Sequence, residues 1–109
     1  MHELAITESI VAAITERLGD ARITRVVLEV GRLSGVVPEA VQFCFDVCTQ
    51  GTVLDGAVLE IVTLPGRARC CTCAAEAEVA DLLAVCPCGS ISLEVMAGQE
   101  LRIREVEVR

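Results

Sequence analysis

The sequence predicts an α+β fold, with a small three-stranded sheet, two helices on one face of it, and a cysteine-rich insert that forms a second subdomain. Helical and strand patterns alternate along the chain. Five of the seven cysteines lie between the second and third predicted strands. The 109 residues are 53% apolar, which suits one modest core, and this core is aliphatic because the chain has two Phe and no Trp or Tyr.

Two segments carry apolar residues at helical spacing and are predicted to be amphipathic helices. Their apolar faces carry Leu4, Val11, Ile14 and Leu18 in the first and Val41, Cys44, Phe45 and Cys48 in the second. Gly19 and Gly51 follow as stop signals, and Pro38 suits the first turn of the second helix. We assign Cys44 and Cys48 to the core, since free cysteine is among the most buried residue types.

Three segments are predicted to be strands, namely "ITRVVLEV", "AVLEIVTLP" and "ELRIREVEV". In the first, Val26, Leu28 and Val30 alternate with Arg25, Val27 and Glu29, so one face should be well buried. In the last, Leu101 and Ile103 follow one alternation phase and Val106 and Val108 the other. Either a bulge near Arg104 or Glu105 or burial of both faces would explain this switch. The predicted α/β domain is residues 1–65 and 98–109, and the insert is residues 66–97.

The charge balance excludes several partners. Sixteen acidic against nine basic residues give a net charge of −7, which repels nucleic-acid backbones and anionic membrane surfaces. No targeting segment and no apolar run of membrane-spanning length is visible, so we expect a cytoplasmic protein. In that compartment an odd number of cysteines indicates metal ligands and buried thiols rather than a disulfide framework.

The cysteines of the insert form two clusters, "CCTC" at 70–73 and "CPCG" at 86–89. Paired thiolates on two loops are typical of a tetrahedral zinc site, and a short hairpin between the clusters could bring the loops together. The predicted ligands of a structural Zn(II) are Cys70, Cys73, Cys86 and Cys88. An iron–sulfur cluster is the weaker alternative. The CxC spacing of the second cluster is tight, and Cys71 is a reserve ligand if that geometry fails.

The first residues offer a second metal site. His2 is the only histidine, and it follows Met1 directly. The amine of Met1, the amide nitrogen of His2 and its imidazole Nδ1 can chelate one ion through adjacent rings. Three nitrogens in one plane favour Cu(II) or Ni(II). The alternative is that His2 is a solvated residue on a frayed terminus.

These motifs together resemble the HypA/HybF family of hydrogenase maturation factors. The similar segments are "MHELAIT", "GRLSGVVPEAVQFCFD", "GAVLEI", the two cysteine clusters and "GQELRIREVEV". The resemblance implies a cytosolic nickel metallochaperone that binds Ni(II) transiently at its amino terminus. It further implies delivery of the ion to the large subunit of a [NiFe]-hydrogenase with a HypB-type GTPase as partner.

Carried onto this sequence, the resemblance implies a nickel site at Met1, His2 and Glu3 and a zinc site at Cys70, Cys73, Cys86 and Cys88. The family commonly has CxxC as its second cluster, so the shorter "CPCG" leaves the fourth zinc ligand in question. The implied protein is not an enzyme, and an exposed sheet edge could pair two copies into a homodimer. The competing function is a zinc-ribbon interaction module without a nickel site, which would not need His2.

Overall fold

The computed structural model describes residues 2–109, which form two helices and two three-stranded sheets. The elements in chain order are α1 (His2–Leu18), β1 (Ile23–Gly31), α2 (Pro38–Cys48), β2 (Val58–Leu64), β3 (Gly66–Cys70), β4 (Glu76–Val79), β5 (Leu93–Ala97) and β6 (Leu101–Val108). No helix within these residues is long and apolar enough to cross a membrane.

The first sheet has the strand order β2-β1-β6, with β1 parallel to β2 and antiparallel to β6. The two helices pack against each other and against one face of this sheet, as the sequence predicts. The core between helices and sheet is built from aliphatic residues and Phe45. Its members are Val11, Ile14, Ile23, Val26, Leu28, Val30, Val41, Phe45, Leu54 and Leu59.

A bulge in β6 accounts for the switch of alternation phase in the last strand. Glu105 pairs with Val27 and Ile103 with Leu28, so Arg104 is an extra residue without a counterpart in β1. The predicted bulge is therefore confirmed at Arg104. Its effect is that Ile103 and Val106, three residues apart, face the same side of the sheet.

The alternation in β1 predicts one well-buried face, and the opposite face is buried as well at Val27, which is 3% exposed. Val27 lies between Glu60 of β2 and Glu105 of β6 on the face away from the helices. Arg25 binds both of those carboxylates, and Glu29 binds Arg102 and Arg104. Charged side chains that reach across the strands thus cover a valine that the alternation would leave exposed.

The buried stripe of α1 differs from the predicted one. Leu4 and Leu18 are 47% and 38% exposed, whereas Glu3 and Thr7 are buried in line with Val11 and Ile14. The stripe is therefore displaced by one residue at its start, and its first turn is polar. The physical reason is that Glu3 accepts a hydrogen bond from the N–H of Val37, which a leucine could not do.

Helix α2 partly confirms the assignment of its two cysteines to the core. Val41 and Phe45 are fully buried, while Cys44 and Cys48 are half-buried. Cys48 packs against the edge of the core, and burial raises the pKa of its thiol. Cys44 and Cys48 thus lie at the margin of the core rather than inside it.

The segment between β2 and β6 forms its own antiparallel sheet with the order β4-β3-β5. No hairpin forms within residues 74–85, which join the two cysteine clusters, because β4 pairs instead with β3, whose last residue is Cys70. Among the apolar side chains of these three strands, only Ala68 and Cys70 are buried. This small sheet has almost no hydrophobic core of its own.

Three glycines join the two sheets. Gly31 ends β1, Gly66 begins β3, and Gly98 follows β5. A Cβ atom on Gly31 would lie 2.0 Å from the Gly98 carbonyl oxygen, and one on Gly66 would lie 2.7 Å from Leu33. Leu33, which is buried, also donates its N–H to the Gly98 carbonyl at 2.6 Å. The junction therefore requires residues without side chains.

Candidate metal centres

Four cysteine sulfurs converge at one end of the small sheet. The Sγ atoms of Cys70, Cys73, Cys86 and Cys88 all lie within 4.8 Å of one another. The Cys70–Cys88 and Cys73–Cys86 separations are both 3.6 Å. Four sulfurs placed about 2.3 Å from a central Zn(II) at tetrahedral corners would be about 3.8 Å apart. The sulfurs are thus already spaced to hold a tetrahedral ion.

In the first cysteine pair, Cys70 ends β3 and Cys73 lies on the turn that follows. The N–H groups of Thr72 and Cys73 both point at the sulfur of Cys70, each at 3.4 Å. Ala74 closes the turn with a positive φ of 64°, and its N–H donates to the Cys70 carbonyl at 2.9 Å. Backbone donors aimed at a sulfur stabilise it as a thiolate, which is the form that binds metal.

The second pair sits on a tighter loop that Pro87 and Gly89 shape. The N–H of Gly89 donates to the Cys86 carbonyl at 2.7 Å, and Gly89 has a φ of +94°, a conformation that favours glycine. The N–H of Cys86 donates to the Ser90 carbonyl at 3.0 Å. A hydrogen bond of 3.0 Å between the hydroxyls of Thr72 and Ser90 ties the two loops together. The CxC spacing is therefore compatible with convergence of all four sulfurs.

Cys71 lies outside the group of four. It is exposed, and its N–H donates to the Ser92 carbonyl at 2.9 Å. Cys88, not Cys71, is thus the fourth sulfur that the fold brings together. Metal binding by the four remains a prediction.

Hydrogen bonds and crowding move the pKa values of two of the thiols apart. The N–H of Cys73 lowers the pKa of the Cys70 thiol to about 6, with help from the N–H of Thr72. For Cys86 the N–H of Cys88 acts in the same direction, but burial and the neighbouring thiols raise the pKa to about 12. The first proton therefore leaves the cluster easily and a later one does not, because adjacent thiolates repel. A divalent cation at the centre would remove that repulsion.

Two of the three amino-terminal candidates, His2 and Glu3, lie at the start of α1. The side chain of His2 is 60% exposed, and its Nε2 atom lies 3.9 Å from the carboxylate of Glu3. Glu3 is buried, and its carboxylate accepts a hydrogen bond of 3.1 Å from the N–H of Val37. The pKa of the Glu3 carboxyl is lowered to about 2, first by the amino-terminal ammonium group and next by the N–H of Val37. The third predicted nickel ligand, Met1, lies outside the described residues.

Two residues that support this terminus were not predicted from the sequence. Val37, at the N-cap of α2, holds the Glu3 carboxylate through its backbone. Thr7 is buried one turn after Glu3 and donates its hydroxyl to the Glu3 carbonyl at 2.7 Å. The available signal was the pair of polar residues, Glu3 and Thr7, at a spacing of four in register with Val11. A backbone donor such as Val37 leaves no such signal.

A family model and several curated relatives match this chain over nearly its whole length. The sequence model of a family described as "Hydrogenase/urease nickel incorporation, metallochaperone, hypA" matches residues 1–108. A hydrogenase maturation factor HypA from Trichormus variabilis is 51% identical over 108 residues, which are 99% of this chain and 96% of that protein. One from Geotalea uraniireducens is 47% identical over 109 residues, covering 99% of both chains.

A solved structure has the same fold. The solution structure of the Ni metallochaperone HypA from Helicobacter pylori superposes with a TM-score of 0.66. The sequences are 24% identical, and the match covers 99% of this chain and 97% of that one. The arrangement of two helices and two small sheets is therefore that of a known fold.

Proposed function

Because this chain belongs to the HypA family of hydrogenase maturation factors, we propose that it is a nickel metallochaperone. It binds Ni(II) at its amino terminus and delivers the ion for assembly of the [NiFe]-hydrogenase active site. The observation that carries the proposal is the position of the only imidazole in the sequence: His2 directly follows Met1, and its side chain is exposed at the start of α1.

The proposed nickel donors are the Met1 amine, the His2 amide nitrogen and the His2 imidazole Nδ1. The start of a helix suits this set, because the first N–H groups of an α-helix have no partner within the helix. The amide of His2 can therefore lose its proton to a metal without breaking a helical hydrogen bond. Three nitrogens in a plane then favour Ni(II) over Zn(II).

Glu3 places a fixed carboxylate next to the imidazole of the proposed nickel site. Its buried carboxylate is fixed by Val37 and lies 3.9 Å from Nε2 of His2. This separation is longer than a hydrogen bond, so the ring must move closer before Nε2–H can donate to the carboxylate, which would orient the ring and leave Nδ1 for the metal. We assign Glu3 this orienting role within the site of Met1, His2 and Glu3.

For the second centre we propose one structural Zn(II), held by Cys70, Cys73, Cys86 and Cys88. The spacing of their sulfurs and the backbone donors around Cys70 support this ligand set. We also propose that residues 66–97 form the zinc-binding unit and that residues 1–65 and 98–109 form the nickel-binding unit. A closed thiolate site retains its ion, whereas an open terminal site can release its own to an acceptor.

The proposed partners are a HypB-type GTPase and the large subunit of the hydrogenase, and no catalytic step is assigned to this chain. We place the protein in the cytoplasm, where the cluster thiols stay reduced and free to bind zinc. The family description also names urease, so a urease system is a second acceptor to test alongside the hydrogenase.

Nickel titration of untagged, zinc-loaded protein tests the proposal. The unmodified chain should bind one Ni(II), and His2→Ala should abolish this binding without change in zinc content. A single residue added before Met1 should do the same, because it converts the amine into a peptide nitrogen. A tag at the carboxyl terminus is the matched control and should be harmless. The affinity for Ni(II) should weaken as the pH is lowered, since protons compete with the metal for the amine and the imidazole.

The competing function, a zinc-ribbon interaction module, has one observation in its favour. The loop before the second cysteine pair exposes Leu82, Leu83 and Val85, which could contact another protein. If the extended protein and His2→Ala both bind one Ni(II) with unchanged affinity, the terminal site is wrong and this module becomes the better account.

A further inference from the structure

A groove of about 510 Å³ runs along an outer strand of the small sheet. Strand β4 stands first in the order β4-β3-β5, so within the described residues one edge of its backbone pairs with no other strand. Residues 75–80 line one side of the groove without a gap, and residues 84–87 line the other. Since successive side chains of a strand point to opposite faces, this unbroken run places the groove along the unpaired edge of β4.

The charges around this groove are all negative. Residues 70–97 contain four carboxylates and no Arg or Lys. Glu76 and Glu78 lie on β4 itself, and Asp81 follows it. Such charges on an edge strand repel a second copy of the same edge, and they attract a strand that carries basic side chains.

The two glutamates of β4 have room for a basic partner. Both are exposed, and none of the ion pairs within residues 2–109 includes either of them. On the paired side of β4, Glu76 lies opposite Arg69 and Glu78 opposite Arg67. A strand added on the unpaired side would bring a second set of side chains opposite the same two carboxylates.

Exposed apolar side chains adjoin the groove. Leu82 and Leu83 are 62% and 88% exposed, and in the chain they lie between Ala80 and Ala84, which line the two sides. The N–H of Leu83 donates to the carboxylate of Asp81 at 2.8 Å, which fixes the turn that presents both leucines. Protection of an edge by charge does not require exposed leucines beside it. Grouped apolar side chains next to an open edge indicate a contact with another protein.

From these observations we propose that the free edge of β4 is a docking site for an extended segment of a partner protein, in which Lys or Arg alternates with small apolar residues. The segment adds a fourth strand to the small sheet, with affinity from main-chain hydrogen bonds and specificity from alternate side chains. Its basic residues lie opposite Glu76 and Glu78. Its apolar residues lie opposite Ala77 and Val79, on the face where Ala68 is buried.

The size of this site predicts weak, reversible binding. The four residues of β4 give a seam about 13 Å long, well below the extent of a stable protein interface. The inference goes beyond the two metal centres, and it does not depend on nickel binding at the amino terminus.

Fluorescence anisotropy with labelled peptides and zinc-loaded, untagged protein tests this docking site. Zinc-loaded protein is needed because Cys86, a proposed zinc ligand, lies in one wall of the groove. A peptide of about eight residues in which Lys and Val alternate should bind. A peptide of the same composition with all its Lys residues in one block should bind at least about tenfold more weakly, because only alternation lets the backbone pair while the basic side chains face the glutamates.

A charge reversal on β4 identifies the edge that the peptide uses. Glu78→Lys should raise the dissociation constant of the alternating peptide at least about fivefold, because it places like charges opposite each other. Glu94→Lys is the matched control: it makes the same charge change at an exposed position of β5, the other outer strand, and should leave the constant unchanged. Both variants should still bind one Ni(II), so failure of the docking site and failure of the nickel site are separate results.

Amide hydrogen exchange of the unmodified chain tests the pairing without any variant. The alternating peptide should slow exchange within residues 76–79 and leave residues 101–108 of β6 unchanged. Equal binding of the block peptide, or equal weakening by Glu78→Lys and Glu94→Lys, would reduce the effect to general attraction by an acidic protein and overturn the proposal. Unchanged exchange at 76–79 with bound peptide would also overturn it. Slow exchange there that depends on protein concentration, without peptide, would place a second copy in the groove instead of a partner.

Discussion

Glu3 links the two helices, a role that its position in the sequence does not suggest. A carboxylate in the buried stripe of a helix is costly unless it is hydrogen-bonded. Glu3 meets that condition through the N–H of Val37 and so links the start of α1 to the start of α2. Hydrophobic spacing alone predicted Leu4 in this place, because periodicity counts apolar residues and cannot detect a backbone donor on another segment.

The proposed metal-ligand cysteines, in contrast to Glu3, could be predicted from the sequence. Cys70, Cys73, Cys86 and Cys88 could be selected from their spacing, because two thiols in one turn can face one ion whatever the rest of the fold does. The exclusion of Cys71 could not, since its direction depends on the hydrogen bond between its N–H and Ser92.

Cys44 and Cys48 should matter for stability alone. Each is half-buried on α2, and neither belongs to the four-cysteine cluster or to the proposed terminal site. Cys48→Ala should lower the free energy of unfolding by about 1 kcal/mol, and Cys44→Ala by less, because Cys48 packs on the core. Urea denaturation and metal analysis check this. A loss of bound nickel or zinc in either variant would contradict the assignment.

At the scale of elements, the two sheets differ in how far their own sequences determine them. Strand β1 carries five buried aliphatic side chains and could be predicted from its pattern, as could the bulge in β6. Strand β4, "EAEV", alternates Glu with Ala and Val, but it has only four residues, three of them exposed, and its pairing with β3 makes it a strand. Pairing of this kind depends on the partner and cannot be read from four residues.

Removal of zinc should unfold β3, β4 and β5 before the first sheet. Structural zinc supplies about 10–16 kcal/mol in small domains, and Ala68 and Cys70 are nearly all the buried core that these strands have. Amide hydrogen exchange after chelation should show rapid exchange within 66–97 and retained protection in β1.

Single substitutions at Cys88 and Cys71 identify the fourth zinc ligand. Cys88→Ser should weaken zinc binding more than about hundredfold, because loss of a ligand costs more than loss of a residue that only hydrogen-bonds to a ligand. Cys71→Ser, on the neighbouring exposed thiol, is the matched control and should keep full zinc. The reverse result, with zinc lost from Cys71→Ser and retained by Cys88→Ser, would exchange the roles of the two residues.

The whole molecule is elongated, with extents of 54 × 23 × 18 Å, because its two sheets are joined through one narrow junction. Gly31, Gly66 and Gly98 meet there around Leu33. The loop that carries Leu33 continues to Val37, which holds Glu3, so one segment contacts both the small sheet and the proposed nickel site. The sequence pattern does not mark these three glycines as neighbours. Their close approach is a tertiary contact between residues far apart in the chain.

Gly31→Ala should destabilise the protein more than a glycine substitution that introduces backbone strain alone. The added Cβ would lie 2.0 Å from the Gly98 carbonyl oxygen, so backbone must move, and we expect a loss of about 2–3 kcal/mol. Gly35→Ala is the comparison: its Cβ would have open space, and a φ of +77° should cost about 1 kcal/mol. Urea denaturation of zinc-loaded protein measures both. Equal losses in the two variants would show that the junction yields easily, and that the two sheets are joined by a flexible link rather than a packed one.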